Sequence, residues 1–377
     1  MIWFNKPYFT GKEIEYIKEA IDAGQLSGNR RFTKLCQSFF EKKYGFAKTL
    51  LTTSCTDALE MCALLLNITT NDEVIMPAYT FVSTANAFVL RGAKIVFADS
   101  QINHPNIDAT KIEALITPNT KAIVVVHYAG VACDMEAIMA IANKYGLFVV
   151  EDAAQAIDAQ FKNYYLGGIG HLSAFSFHET KNLSSGEGGM LVINDEQFAK
   201  RAEILWEKGT NRSAFHRGEV DKYTWVDMGS SFLPADIIAA FLYAQLENLR
   251  AIQQKRLAIW QQYYNGLLPQ AQKKLFTLPT LPQYASNNAH MFYLVCNNLQ
   301  QRTELITALR QKGIMAVFHY LSLHESPFYQ HKHDGRALPN CNRFDNCLVR
   351  LPLFYELTSS QVQMVIDAVA DCASKWS

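Results

Sequence analysis

Residues 121–155 read KAIVVVHYAGVACDMEAIMAIANKYGLFVVEDAAQ, and this stretch decides the fold. An apolar, β-branched run (Lys121 to His127) gives way to a helical pattern (Asp134 to Lys144). A second β-branched run (Leu147 to Glu151) then ends on adjacent carboxylates, Glu151 and Asp152. Two buried strands joined by a crossover helix form a right-handed βαβ unit, which needs a parallel sheet covered on both faces. The alternation continues upstream. Strand candidates at Lys48 to Thr53, Glu73 to Met76 and Lys94 to Ala98 are each followed by a helical stretch, at 56–67, 80–90 and 108–116. The predicted architecture is therefore α/β with a mostly parallel central sheet, whose ligands gather at the carboxyl ends of the strands.

The pattern is helical from Pro234 to about Gly266 and carries the chain into a smaller α+β unit. That unit has strand candidates at Met291 to Cys296 and Met315 to His319, and helices at Arg302 to Gln311 and Ser359 to Asp371. The expected division is a large domain over 1–245 and a small one over 246–377, a split that the 377-residue length also favours. Leu323 to Asn346 reads as a long irregular loop.

Lys plus Arg and Asp plus Glu both total 35, so the formal charge is zero, which argues against a nucleic-acid or membrane-surface protein. The longest apolar run, Ile237 to Ala244, is far below the roughly 20 residues that span a bilayer. Met1 to Thr10 has neither a basic nor an apolar leader pattern, and the expected location is the cytoplasm. Charged residues make up 19%, below the roughly 25% usual in soluble domains, which suggests surface hidden in an oligomer. The eight cysteines form no CxxC pair, and His319, His324, His331 and His333 ahead of Cys341 match no compact zinc pattern, so no metal is expected.

Three constellations carry chemistry. Thr52-Thr53-Ser54-Cys55-Thr56-Asp57 lies where a strand yields to a helix, whose free N–H groups and dipole suit an anion such as phosphate, although taken alone the segment favours Ser54 or Thr56 as a plain N-cap. Asp152 stands at a strand end, where a partly buried carboxylate needs a cationic or hydrogen-bonding partner. Ser173-Ala174-Phe175-Ser176-Phe177-His178-Glu179-Thr180-Lys181 delivers one lysine into a glycine-rich turn, and an unprotonated lysine forms a Schiff base with an aldehyde. Each is ambiguous alone. Their order, cup then strand-end Asp then loop Lys, is that of the cofactor ligands in fold type I pyridoxal phosphate enzymes.

With these motifs in place, the chain resembles the nucleotide-sugar aminotransferases of the DegT and StrS kind. The likeness runs through TTSCTDALEM, DEVIMPAYTFVSTANAFVLRGAKIVF, VHYAGVACDM, FVVEDAAQA, FSFHETKN, EKGTNRS, DKYTWVDMGSS, NAHMFY, MAVFHY and RLPLFY. It implies pyridoxal 5'-phosphate held covalently by Lys181, which would also shuttle the proton. Asp152 would pair with the pyridinium and Gln155 would lie near the ring hydroxyl. Phe81 would stack on the ring, and Ser54, Cys55, Thr56 and Ser176 would line the phosphate. It further implies a homodimer and transfer of an amine from L-glutamate to dTDP-4-keto-6-deoxy-D-glucose, with amination at carbon 3 or the gluco epimer as rivals.

A pyridoxamine-dependent sugar dehydratase would carry histidine in place of Lys181, and a non-enzymatic regulator would have no use for the retained Lys181, Asp152 and cup. The chain departs from the broader family twice. Cys55-Thr56 replaces a Gly-Thr pair, and Gly229-Ser230-Ser231 replaces a GxNxR segment donated by the neighbouring subunit. Ser231, Asn211 and Arg212 are then the candidates to reach across to the phosphate. For the sugar, Tyr320, His324 and Arg212 are the expected donors, Tyr320 and His324 following an apolar strand of the small domain; packing the domain seam is the plainer reading of those two.

Overall fold

The computed structural model describes residues 1–24 and 26–376. Its strands are β1 (Lys48–Thr52), β2 (Glu73–Pro77), β3 (Lys94–Ala98), β4 (Thr120–Val126), β5 (Phe148–Asp152), a short β6–β7 hairpin (Gln160–Phe161 and Tyr164–Tyr165), β8 (Leu172–Ser176) and β9 (Gly189–Ile193). Three more follow, β10 (Phe276–Thr277), β11 (Phe292–Cys296) and β12 (Leu348–Leu351). Seven of them form one sheet in the order β1-β9-β8-β5-β4-β2-β3. Neighbours from β8 to β3 are parallel, and β9 alone runs against both β8 and β1. The mostly parallel α/β sheet read from residues 121–155 is therefore present.

Alternation explains its two covered faces. Ala122 and Val124 of β4 pack with Val74, Phe97, Val150 and Leu191 on one side; Ile123 and Val125 pack with Ile75, Val149 and Val192 on the other. Strand residues of period two bury both sets because helices cover both faces. Asp236, itself buried, accepts hydrogen bonds from Phe32 N (3.1 Å), Thr33 N (2.9 Å) and the Thr33 hydroxyl (2.7 Å), so one helix start caps another.

The helical stretch from Pro234 is two helices, Asp236–Glu247 and Leu249–Gln272. At the joint the Asn248 side-chain amide donates to Ala244 O (3.1 Å), a local bond that competes with the helical ladder. Beyond it lies the antiparallel sheet β10-β11-β12 with its own core around Tyr263, Phe292, Leu305 and Val365. The helix Ser359–Ala373 closes this unit and starts with a capping box, Thr358 and Gln361 exchanging bonds of 3.0 and 3.2 Å. Met315 to His319 forms no strand and makes a single bridge, Val317 to Arg350. Its last carbonyl, His319 O, instead accepts from the Tyr79 (2.7 Å) and Tyr128 (2.9 Å) hydroxyls of the larger unit. The expected irregular stretch after Leu323 contains a helix, Pro339–Cys347, with proline at its first turn.

Beneath the strand ends, the fully buried Glu151 carboxylate accepts from Gly167 N (2.8 Å), Ile169 N (2.8 Å) and Gly170 N (2.6 Å) and meets His127 Nε2 at 2.9 Å. Cys133 N–H donates to His127 Nδ1 (3.2 Å), which fixes the proton on Nε2, so that nitrogen donates to Glu151. Burial raises the Glu151 carboxyl, but His127 and these backbone donors outweigh it and hold the group below its ordinary range. The stabilisation is therefore full above the unfolded carboxyl's range and is lost as the pH falls through the depressed folded value. Glu151→Gln is expected to cost about 1–3 kcal/mol at pH 7, as for a buried N–H donor left without its acceptor, with a smaller deficit at pH 3. Denaturant titrations at the two pH values check this, and an equal deficit at both would contradict the charge-based account.

Candidate functional site

The carboxyl ends of β1, β2, β5 and β8 open onto one cleft of about 410 Å³, closed on the far side by residues of the smaller unit. Of the residues expected from sequence, Ser54, Cys55, Thr56, Phe81, Asp152, Gln155, Ser176, Lys181 and Tyr320 line it.

Ser54, in extended backbone conformation, is the N-cap of helix Cys55–Leu65, and its Oγ accepts from Asp57 N at 3.1 Å. The N-cap reading of Ser54 is thus correct, and it leaves the N–H groups of the first turn directed at the cleft. Thr56 adds a hydroxyl bonded to Ser83 Oγ at 2.9 Å. Gly189 lies behind this turn, across the ladder from both Thr52 and Ser176. A Cβ there would fall 2.3–2.4 Å from Ser54 C and O and Cys55 N, so only glycine lets β9 approach the turn. Burial, then the charge of Asp152, holds the Cys55 thiol well above its ordinary range and keeps it protonated.

Asp152 is 5% exposed. Its Oδ2 accepts from the Thr84 hydroxyl (2.7 Å) and its Oδ1 from Ala154 N (3.1 Å). Burial raises its carboxyl above the ordinary range, and Thr84, Ala154 and the charge of Lys181 oppose this without cancelling it. A cation beside Asp152 would supply what burial withholds. Thr84 of the helix Val82–Val89 and Thr80 just ahead of that helix, whose hydroxyls meet at 3.0 Å, were not singled out from sequence.

Lys181 follows β8 in a loop held by Phe177 N to Gly188 O (2.8 Å), Ser185 N to Phe177 O (2.8 Å) and Glu179 N to Gly186 O (2.9 Å). Among the described residues no hydrogen bond or ion pair engages its Nζ. Its neighbour Asn182 is tied to the smaller unit, donating to Gln253 Oε1 (2.8 Å) and Asn288 O (2.9 Å) and accepting from His290 Nδ1 (2.8 Å). Gln155 accepts from Ala129 N (2.6 Å) and donates to the Tyr320 hydroxyl (3.1 Å), which joins the two sides of the cleft. Phe81 is 53% exposed, so it is a cleft wall and not a core aromatic, with the Tyr320 ring 5.7 Å away.

Four expected residues lie elsewhere; one of them, Asn211, accepts from Thr224 N at 2.8 Å. His324 is buried in the seam against Phe97 (6.5 Å between rings) and His333 (5.2 Å), because Leu323 N bonds to Ala78 O (2.9 Å) and turns the segment behind the sheet. The seam-packing reading holds for it. Arg212 lines a separate polar cavity of about 560 Å³ with Lys34, Glu203 and Glu207, and Ser231 is exposed beside it, bridged to Glu207. Within this chain neither reaches the cleft. The sequence reading also missed His290 and Arg350 in the cleft wall.

The family model for the DegT/DnrJ/EryC1/StrS aminotransferase family matches residues 7–370. The spore coat polysaccharide biosynthesis protein SpsC of Bacillus subtilis (strain 168) is 34% identical over 380 aligned residues, covering 98% of this chain and 96% of SpsC. Among solved structures, the aminotransferase TlmJ from Streptoalloteichus hindustanus superposes with a TM-score of 0.91 at 27% identity, over 100% of both chains. DesV of S. venezuelae, solved in complex with a ketimine intermediate, gives 0.89 at 28% identity, over 99% of this chain and 98% of DesV. These scores make the architecture the fold type I arrangement expected above.

Because the atoms that a Gly189 side chain would strike are backbone, Gly189→Ala is expected to displace the first turn. Binding of pyridoxal phosphate, followed by quenching of protein fluorescence, should weaken by at least about tenfold, or 1.4 kcal/mol, with the circular dichroism unchanged. An unaltered affinity would remove the turn as the anion cup.

Proposed function

The chain belongs to the DegT/DnrJ/EryC1/StrS aminotransferase family, and we propose that within it this protein is a pyridoxal phosphate-dependent nucleotide-sugar aminotransferase. Its reaction is transfer of the amine of L-glutamate to dTDP-4-keto-6-deoxy-D-glucose, giving dTDP-4-amino-4,6-dideoxy-D-galactose. The product's use is in a surface polysaccharide such as enterobacterial common antigen, a role in keeping with the polysaccharide named for SpsC.

One observation carries the reading. An anion-suited helix turn at Ser54–Thr56, a buried carboxylate in need of a cation at Asp152, and Lys181, whose Nζ has no hydrogen bond or ion pair among the described residues, face one cleft from a single sheet edge. Each feature fits one part of the cofactor, phosphate, pyridinium and aldehyde in turn. When bound, the cofactor supplies an aldehyde that takes up the amine and a protonated ring that accepts the electron pair of a broken C–H bond.

The remaining work falls to the chain. Cys55 and Thr56 N–H, the Thr56 hydroxyl and Ser176 bind the phosphate. Asp152, held by Thr84 and Ala154, stays ionised beside a ring cation and keeps that proton in place. Phe81 would lie against the ring and Gln155 would lie near its hydroxyl. Lys181 Nζ, which has no competing bond among the described residues, would take the proton from the donor's α-carbon and return it. Tyr320 faces the sugar. Ser231, Asn211 and Arg212 act on the neighbouring copy's cleft in a homodimer. The exposed segment around them supports this pairing: Trp225 is 78% exposed, with Tyr223, Val226 and Met228 also open.

Lys181→Ala is expected to abolish amine transfer while leaving the circular dichroism unchanged. Asp152→Asn should retain pyridoxal phosphate and slow the half-reaction with glutamate by at least about a hundredfold, as for loss of a charge that acts in the transition state. Stopped-flow absorbance follows both. For the sugar, NMR of the product decides: an axial amine at carbon 4 supports the galacto assignment, and an equatorial amine or amination at carbon 3 overturns it.

A further inference from the structure

The loop that presents Lys181 is held at its base and at its tip by different parts of the molecule. Its base closes on the large sheet, where Phe177 N bonds to Gly188 O (2.8 Å). Its tip is held from the smaller unit through Asn182, the residue after the lysine. Asn182 is 5% exposed, and all of its side-chain hydrogen-bonding groups are engaged. The amide nitrogen donates to Gln253 Oε1 (2.8 Å) and Asn288 O (2.9 Å), and the amide oxygen meets His290 Nδ1 at 2.8 Å.

The chemistry of the partners fixes how these groups are oriented. Asn288 O is a carbonyl and can only accept, so the Asn182 atom beside it is nitrogen and the atom beside His290 is oxygen. The His290 proton therefore sits on Nδ1. Burial, and then the charge of Lys181, holds this imidazole well below its ordinary range, so it stays neutral with a single donor.

The clamp is itself anchored on both units. Asn288 Nδ2 donates to Gln155 O (2.8 Å) and Ile157 O (2.9 Å), in the turn that leaves Asp152. A Cβ on Gly130 would fall 2.0 Å from Asn288 Oδ1, so the turn after β4 has room for this side chain only because it carries glycine. Arg256 grips the carbonyls of Ala289 (3.1 Å) and His290 (2.7 Å) from the smaller unit. On the other flank of the lysine, Asn5 Nδ2 donates to Glu179 O (3.0 Å). The segment carrying Asn5 is bound to the smaller unit through Ile2 N to Gly313 O (2.7 Å) and Met315 N to Ile2 O (2.9 Å).

A lysine side chain has four rotatable bonds, so its amine finds one target often only if its backbone is held in place. We propose that Asn182 and His290 are positioning residues for Lys181, setting its amine against the turn that carries Asp152 for attachment to pyridoxal phosphate. This rests on the cofactor reading above. Asn182 stands outside the cleft lining, whereas His290 belongs to it, so the test separates an effect on the lysine from an effect on the cofactor's own contacts.

The full chain is mixed with pyridoxal phosphate, and linkage to Lys181 is trapped with borohydride over time and read by peptide mass. Total binding is followed separately by quenching of protein fluorescence. Asn182→Ala, which removes three bonds, should slow linkage by at least about tenfold, and His290→Phe, which removes one, by about fivefold. In His290→Asn an amide nitrogen takes the place of Nδ1, and linkage should return to within about twofold of wild type. In a Lys181→Ala background none of these substitutions should change the affinity for pyridoxal phosphate by more than about twofold, since the residue they act through is gone.

Unchanged linkage rates in Asn182→Ala and His290→Phe overturn the inference. A loss of affinity that persists in the Lys181→Ala background overturns it in favour of residues that shape the cleft for the cofactor itself. A His290→Asn variant as slow as His290→Phe overturns it by placing the effect in the ring and not in the Nδ1 bond. Should Asn182→Ala not accumulate, the two His290 variants carry the comparison. A wild type that forms no linkage at Lys181 overturns the cofactor reading and this inference together, whereas a linked wild type with unaltered variants overturns this inference alone.

Discussion

A buried carboxylate has to be satisfied, and Glu151 is where this chain meets that requirement. Its two oxygens take three backbone N–H groups from the 167–170 turn and one from His127, groups that belong to the segments following β4 and β5 and leading into β8. Leaving any of these donors or the acceptor unpaired in the interior would cost on the order of 1–3 kcal/mol each. The ends of three adjacent strands are thereby set relative to one another. The next residue along β5 is Asp152, whose side chain alternation turns the other way, toward the cleft. Where Asp152 stands is thus decided by a group that takes no part in the chemistry.

The same edge accounts for the electrostatics of the cleft. One wall carries a carboxylate that burial makes eager for a cation, flanked by a helix turn suited to an anion. The opposite wall carries Arg350, which makes no ion pair among the described residues, and the imidazoles of His290 and His319, which burial keeps neutral. A cleft of this kind is poorly compensated by the chain's own charges. Stability has been traded for affinity in a region where the sheet itself is amply packed.

Much of this was legible in the sequence. The strand–helix alternation from Lys48 to Glu151 appears with ends within a residue or two, because parallel strands buried on both faces leave uninterrupted β-branched runs. The motifs at Ser54, Asp152 and Lys181 meet in one cleft because strand ends share an edge. What escaped detection depended on tertiary partners. Glu151 looked like a second strand-end acid beside Asp152, and nothing local announces the turn that buries it. Met315 to His319 has strand composition, yet the His319 carbonyl is claimed by two tyrosines from the other unit. Pro339–Cys347 is polar and hid inside an apparent loop, although its initial proline was a start signal. His324, four residues after Tyr320, packs the seam, while Arg350, inside an apolar strand, lines the cleft.

The antiparallel course of β9 has a consequence for the lysine. Since β8 and β9 are ladder partners, with Ser176 opposite Gly189, the loop 177–188 leaves and re-enters the sheet at the same point. On the proposed function, Lys181 would therefore be a reactant on a short closed tether and not a residue at the end of a long connection. Its effective concentration at the strand ends is set by the length of that tether. Lengthening the loop would cost the fold little, since closure entropy grows only logarithmically. It would dilute the amine within its own active site, so loop length is constrained by rate far more tightly than by stability.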